Sequence, residues 1–227
     1  MNPNQKPVAG RKARILIVDD HPITREGLAN LIRQTSDLTV CGEAADAEHS
    51  IAMIVETKPD LVVLDISLPG RSGIELLKDL HAMDPHLPIL VISMHDESLY
   101  AERALRAGAR GYVMKQEQTD VILAAIRRVL AGELSLSNRV KEKMLNRLAQ
   151  GGKDATAFSM DTLSDREMEV FQLIGNGFGT RQIAERLNLS VKTIDSYREH
   201  LKVKLQLAKG ADLVHHAIQW VKSEHIM

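Results

Sequence analysis

Four short apolar runs in the first half of the chain each end on a polar residue. They are Ile15-Leu-Ile-Val18 before Asp19 and Asp20, Leu61-Val-Val-Leu64 before Asp65, Ile89-Leu-Val-Ile92 before Ser93, and Gly111-Tyr-Val-Met114 before Lys115. Apolar runs without polar alternation read as parallel strands buried on both faces. With the run at 38–42, strands are expected near 14–19, 38–42, 60–65, 88–93 and 110–114. The intervening stretches 23–34, 47–57, 74–83, 99–107 and 120–130 carry helical spacing. This alternation predicts an α/β fold, a doubly wound five-stranded parallel sheet of order 2-1-3-4-5 with helices on both faces. In such a sheet, ligands bind outside the carboxyl ends of the strands, at the switch point of the strand order. Asp19, Asp20, Asp65, Ser93 and Lys115 would then meet in one crevice.

After Gly132 the pattern changes. Residues 138–150 look helical and basic, and Gly151-Gly-Lys-Asp-Ala-Thr-Ala157 reads as a flexible joint. Beyond it only helices are expected, over 164–176, 180–187, 191–205 and 210–222. The division is a tail at 1–12, an α/β domain at 13–134, a partly helical linker at 135–160 and a small all-α domain at 161–227.

Composition narrows the function classes. A net charge of −1 over 227 residues argues against a polycation that coats nucleic acid or membranes. No segment has the length of apolar sequence needed to span a bilayer, and the polar start lacks a signal-peptide core. Cys41 is the single cysteine; it excludes an internal disulfide, points to a reducing compartment and reads as a small buried hydrophobe. A cytoplasmic protein is expected.

Singly, the polar residues at the strand ends have ordinary readings: an aspartate after a strand as a turn former or helix cap, a lysine as a solvated surface group. Together they describe a phosphate chemistry. Clustered carboxylates repel unless a cation offsets them, and Lys115 alone is too little. Mg²⁺ (or Mn²⁺) held by Asp19 or Asp20 with Asp65 supplies that charge. A carboxylate can then attack an incoming phosphoryl group. Asp65, ending the third strand, is the best candidate for the nucleophile, with Ser93 and Lys115 on the phosphoryl oxygens.

In the helical half, Ser164 and Glu167 form a capping box, and Ser190 caps the helix that follows the tight turn Asn188-Leu-Ser190. Two helices so joined are a helix-turn-helix candidate. On the second, Val191, Ile194, Leu201 and Leu205 share one face; Lys192, Asp195, Ser196, Glu199 and Val203 share the other. Spacing alone fits an ordinary amphipathic helix equally well. A basic rim of Arg181, Arg186, Lys192, Arg198, Lys202, Lys204 and Lys209 favours phosphate contacts around a base-reading centre. His21, His95, His215 and His216 show no metal-ligand spacing.

Asp19-Asp20, Leu64-Asp-Ile-Ser-Leu-Pro-Gly70, Ser93-Met-His-Asp-Glu97 and Gly108-Ala-Arg-Gly-Tyr-Val-Met-Lys115 resemble the receiver domain of bacterial two-component response regulators. The resemblance implies that Asp19, Asp20, Asp65 and the backbone carbonyl of Ser67 hold Mg²⁺. It makes Asp65 the acceptor of a phosphoryl group from a sensor histidine kinase, with Ser93, Lys115 and Tyr112 as phosphate-binding and switch residues. Gln116 stands where many receivers have proline. Leu163-Ser-Asp-Arg-Glu167, Gln182-Ile-Ala184, Leu187-Asn-Leu-Ser190, Lys192-Thr-Ile194 and Lys204-Leu205 resemble the LuxR-type helix-turn-helix of the NarL/FixJ group. That resemblance implies a DNA-binding homodimer whose helix at 191–205 enters the major groove of promoter DNA. The candidate contacts are Arg181, Lys192, Thr193, Asp195, Ser196, Arg198, Glu199 and Lys202. Asp195, Tyr197 and Gln206 stand where lysine, histidine and glycine are common. Two other readings remain open here: a metal-dependent phosphohydrolase, for which Ser67 lacks the expected acid, and a DNA binder that has lost phosphate control.

Overall fold

The computed structural model describes residues 11–69, 71–149 and 162–224. The chain divides into two compact units, Met1–Asn146 and Arg147–Met227. The expected joint at 151–157 and most of the expected tail lie outside the described residues. Arg11 and Lys12, expected in that tail, are instead tied down: Arg11 pairs with Asp60 (2.7 Å) and Lys12 donates to the Thr35 carbonyl (2.9 Å).

The first unit runs β1 (Ala13–Val18), α1 (Pro22–Arg33), β2 (Leu38–Ala44), α2 (Ala47–Thr57), β3 (Leu61–Leu64), α3 (Gly73–Met83), β4 (Ile89–Ser93), α4 (Glu97–Arg106), β5 (Gly111–Met114) and α5 (Thr119–Leu130), and α6 (Asn138–Ala149) follows. The sheet is parallel throughout, in the order β2-β1-β3-β4-β5. Strand side chains alternate between two buried layers, which is why no polar alternation marks these strands in the sequence. Ile15, Ile17, Leu61, Val63, Leu90, Ile92 and Val113 form a core with Leu28 and Ile32 of α1 and Ile122, Ile126 and Val129 of α5. Leu16, Val18, Val62, Leu64 and Val91, in the opposite register, are also buried. Each such side chain contributes about 1.5–3 kcal/mol on burial.

Register places the strand ends together. Val18 is paired with Leu64, Leu64 with Val91, and Ser93 with Met114. The ladders continue one step further: Asp65 N donates to the Val18 carbonyl and Lys115 N to that of Ser93, both at 2.8 Å. Edge strand β2 departs from expectation. It runs on to Ala44, and its register with β1 jumps from Ile15–Val40 to Leu16–Gly42, so Cys41 is the extra residue of a bulge. Cys41 is accordingly half-buried beside Thr57 rather than part of the core.

The second unit contains α7 (Asp165–Gly175), α8 (Thr180–Leu187), α9 (Val191–Lys204) and α10 (Gly210–Glu224). The expected capping box at Ser164 and Glu167 is formed in both directions. Val170, Phe171, Ile174, Ile183, Ile194, Leu201, Leu205, Leu213 and Ala217 build the core. At Gly175 a Cβ would stand 2.5 Å from the Ala217 carbonyl, so glycine lets α7 and α10 close on each other. Among the described residues no helix is long and apolar enough to cross a membrane.

Candidate functional site

The acids and the lysine converge. Asp19 and Asp65 are almost fully buried, and Asp20 is partly exposed. Lys115 Nζ lies 2.7 Å from Asp19 Oδ2 and 2.7 Å from Asp65 Oδ2, its side chain only 6% exposed. Asp65 Oδ1 accepts the Ser67 backbone N–H at 3.0 Å, and Asp19 Oδ1 that of His21 at 2.9 Å. Burial by itself would pull the Lys115 ammonium down, but the Asp65 carboxylate, with that of Asp19, outweighs it and the pKa is raised. Burial raises the Asp20 carboxyl; His21 opposes the rise, and the charges of Asp65 and Asp19 add to it.

His21 was missed by spacing. Pro22 at the first helical position makes His21 the N-terminal flanking residue of α1, which holds its ring beside the acids. Its Nδ1 is 2.7 Å from Asp20 Oδ1 and 3.4 Å from Asp19 Oδ1. Asp19, Asp20, His21 and Asp65 each offer a ligand atom within 4.8 Å of the others. The adjacency of His21 to the acid pair was the available signal. Asp19 Oδ2 and Asp20 Oδ1 are shielded from solvent and accept no well-aligned hydrogen bond; Lys115 Nζ lies 2.7 Å from the first and His21 Nδ1 2.7 Å from the second. Carboxylate oxygens in that state fit a hard divalent cation with carboxylate and water ligands.

Ser93 is fully buried beside this cluster, and its Oγ accepts the His95 N–H at 3.2 Å. Tyr112 points inward, 2% exposed, and its hydroxyl donates to the His95 carbonyl at 2.9 Å. Burial, opposed by Ser93, pushes the phenol's pKa far above its usual value.

On α9, Lys192, Asp195, Ser196, Glu199 and Val203 are exposed, Arg198 is half-exposed, and Arg181 is exposed on α8. Ile194, Leu201 and Leu205 are buried as the periodicity predicts, but Val191, expected with them, is 43% exposed because it sits in the first turn, at the rim. Thr193 is half-buried and engaged in the cap, its N–H donating to Ser190 Oγ and its hydroxyl lying 2.7 Å from it. Lys202 and Glu199 are not independent: Nζ and Oε2 are 2.9 Å apart.

A carboxylate and lysine crevice on a 2-1-3-4-5 sheet, in one chain with a helix-turn-helix, defines a receiver coupled to a DNA-binding module. Residues 15–127 match the response regulator receiver domain and residues 161–217 the luxR family of bacterial regulatory proteins. The oxygen regulatory protein NreC of Staphylococcus aureus is 33% identical over 210 residues, 91% of this chain and 97% of its own. A crystal structure of a LuxR-family two-component response regulator from Aurantimonas sp. is 39% identical over 61% of this chain and 99% of its own, with a TM-score of 0.57. RcsB of Salmonella enterica serovar Typhimurium, bound to promoter rprA in the presence of the phosphomimetic BeF3-, is 26% identical over 91% of this chain and 98% of its own, with a TM-score of 0.58. The chain belongs to the two-component response regulators that carry a LuxR-type DNA-binding domain, and is a transcription regulator.

Proposed function

We propose that this regulator is switched by phosphorylation of Asp65. A sensor histidine kinase presents a phosphohistidine; an Asp65 carboxylate oxygen attacks phosphorus, the P–O bond forms and the P–N bond breaks, and the proton that neutralises the departing imidazole comes from solvent. Mg²⁺ (or Mn²⁺), held by Asp19, Asp20, Asp65 and the carbonyl of Ser67, would supply charge screening for two anions that otherwise repel. Lys115 pairs with the phosphoryl oxygens and the Ser93 hydroxyl donates to them. The single observation that carries this reading is Lys115 bridging Asp19 and Asp65 at 2.7 Å each, with none of the three side chains more than 6% exposed. Ser67 has no carboxylate to act as a general acid two residues from Asp65, so turnover is at most a slow loss of the protein's own acyl phosphate.

In its phosphorylated form the cytoplasmic protein dimerises on promoter DNA, with α9 in the major groove. RcsB supports this: it has been solved on a promoter and as two dimers on two parallel DNAs. We assign Lys192, Arg198, Lys202 and Arg181 to phosphate contacts and Asp195, Ser196 and Glu199 to base reading, with Thr193 holding the helix start. We assign the receiver to 13–134, the linker to 135–160 and the DNA-binding domain to 161–227.

Incubation with Mg²⁺ and a small acyl phosphate should add one phosphoryl group, read by intact mass, and Asp65→Asn should abolish it. Equal uptake by Asp65→Asn would overturn the assignment.

A further inference from the structure

Past α5 the chain stays on the first unit for another few residues. It turns at Gly132, whose carbonyl accepts Arg110 Nη2 at 2.7 Å, and residues 133–137 pass along the outer edge of β5. Ser135 pairs with Gly111 in a parallel bridge. Its N–H donates to the Arg110 carbonyl at 3.0 Å, and its carbonyl accepts the Tyr112 N–H at 2.9 Å. Glycine permits the approach, since a Cβ at Gly111 would stand 2.8 Å from the Ser135 oxygen. Ser137 Oγ then donates to Glu97 Oε1 at 2.6 Å and accepts the Val140 N–H as α6 begins. The segment borders an open cleft of about 300 Å³ lined by Tyr112, Met114, Val121, Ala125, Leu136 and Ser137, among others. A short segment beside such a cleft, held by a few hydrogen bonds, belongs to the part of a fold that opens locally at low cost.

We propose that residues 133–137 form a detachable sixth edge strand, a latch that reports the state of Asp65 to the chain beyond α5. The proposal rests on Asp65 as phosphoacceptor. Its anchors are shared with the switch residues. Ser93, His95 and Glu97 lie on one short stretch: Ser93 Oγ holds the His95 N–H, the His95 carbonyl holds the Tyr112 hydroxyl, and Glu97 holds Ser137. A phosphoryl group on Asp65 recruits the Ser93 hydroxyl and the Lys115 ammonium. The stretch 93–97 follows Ser93, carrying the Glu97 carboxylate off Ser137. The Tyr112 N–H, two residue pairs from Ser93 along the β4–β5 ladder, loses Ser135 in turn. Release adds at most about 17 Å of extended chain to the connection towards the second unit.

Hydrogen exchange of the full chain tests this, with beryllofluoride and Mg²⁺ as the probe for the phosphorylated state. The amides of Tyr112 and Ser135 should exchange about tenfold faster in the complex, the loss expected for one charge-assisted hydrogen bond. Glu97→Ala should give the same acceleration without beryllofluoride, and so should Ser135→Pro at Tyr112, a variant that leaves α4 untouched. Unchanged protection in the complex, or in both variants, overturns the latch. Fluorine NMR reads beryllofluoride binding separately. If no bound fluoride appears, the reading of Asp65 falls and the trigger falls with it, whatever the variants do.

Discussion

Replacing Lys115 by methionine removes the charge while keeping the aliphatic stem, and its effect should depend on divalent metal. Two ion pairs of 2.7 Å disappear from a place where Asp19 is 2%, Asp65 1% and Lys115 6% exposed. Two buried carboxylates are then left beside Asp20 and the largely exposed ring of His21. Removing one partner of a buried pair costs about 3–5 kcal/mol, because the other charge stays buried without compensation. The solvent path past Asp20 reduces this, so about 3 kcal/mol is expected at neutral pH in EDTA, a large share of a typical domain stability of about 5–15 kcal/mol. Mg²⁺ should return most of it: a ligand at about 100 times its Kd stabilises by about 2.7 kcal/mol. The lysine and the cation neutralise the same oxygens, so Lys115→Met should also gain more from Mg²⁺ than the parent protein does. Urea denaturation followed by circular dichroism, with and without Mg²⁺, measures this. Trp220, the only tryptophan, lies in α10 and reports the helical unit as an internal control. The reasoning is refuted if the variant matches the parent in EDTA, or if Mg²⁺ stabilises both equally.

Gln206 sits at φ +53°, where glycine carries no steric penalty, so Gln206→Gly should stabilise the helical unit by about 1 kcal/mol in Trp220-monitored unfolding. Glu167 is buried, which alone would raise its pKa, but the Lys204 ammonium and the Ser164 N–H and hydroxyl hold it below the ordinary value of 4.5. Its stabilisation is therefore present above about pH 4.5 and lost as pH falls through the lowered folded value; Lys204→Met, removing a partly exposed partner, should cost about 1 kcal/mol at pH 7 and flatten that acid slope in a pH series of unfolding curves. Lys202→Ala should weaken binding to every DNA sequence and lower the salt slope by about one in titrations at several salt concentrations. Glu199→Ala should alter the selected motif and also free Lys202, raising nonspecific affinity; an unchanged motif and affinity in binding-site selection would count against a base-reading role.

The strands of the receiver were legible because both sheet faces are buried, so their sequences are continuous apolar runs, and the residue ending each run had to lie at the crevice. Ser164 and Glu167 announced a helix start through a local hydrogen-bond pattern that needs no tertiary information. Features requiring a partner far away in sequence did not show. His21 carries no spacing signal because the pairing of β1 with β3, not the residue's own helix, brings Asp65 within reach of its ring. The linker strand was hidden for the same reason, since nothing in 133–137 signals that Gly111 will admit it. On α9, helical periodicity placed Ile194, Leu201 and Leu205 correctly. It could not see that Val191 sits at the rim of the unit, or that Lys202 and Glu199 form an ion pair.

The bulge at Cys41 bears on how copies of this protein can meet. An open parallel sheet has two edges, and each offers unpaired backbone groups to any passing strand. On one side the extra residue of β2 breaks the regular spacing that a docking strand would need to match. On the other, Ser135 already occupies the Gly111 and Tyr112 positions of β5. While the segment at 133–137 is in place, strand addition is disfavoured at the β2 bulge and at Gly111 and Tyr112 of β5, which leaves helix faces, where geometry and charge can select a partner, as the better surface for contact between copies.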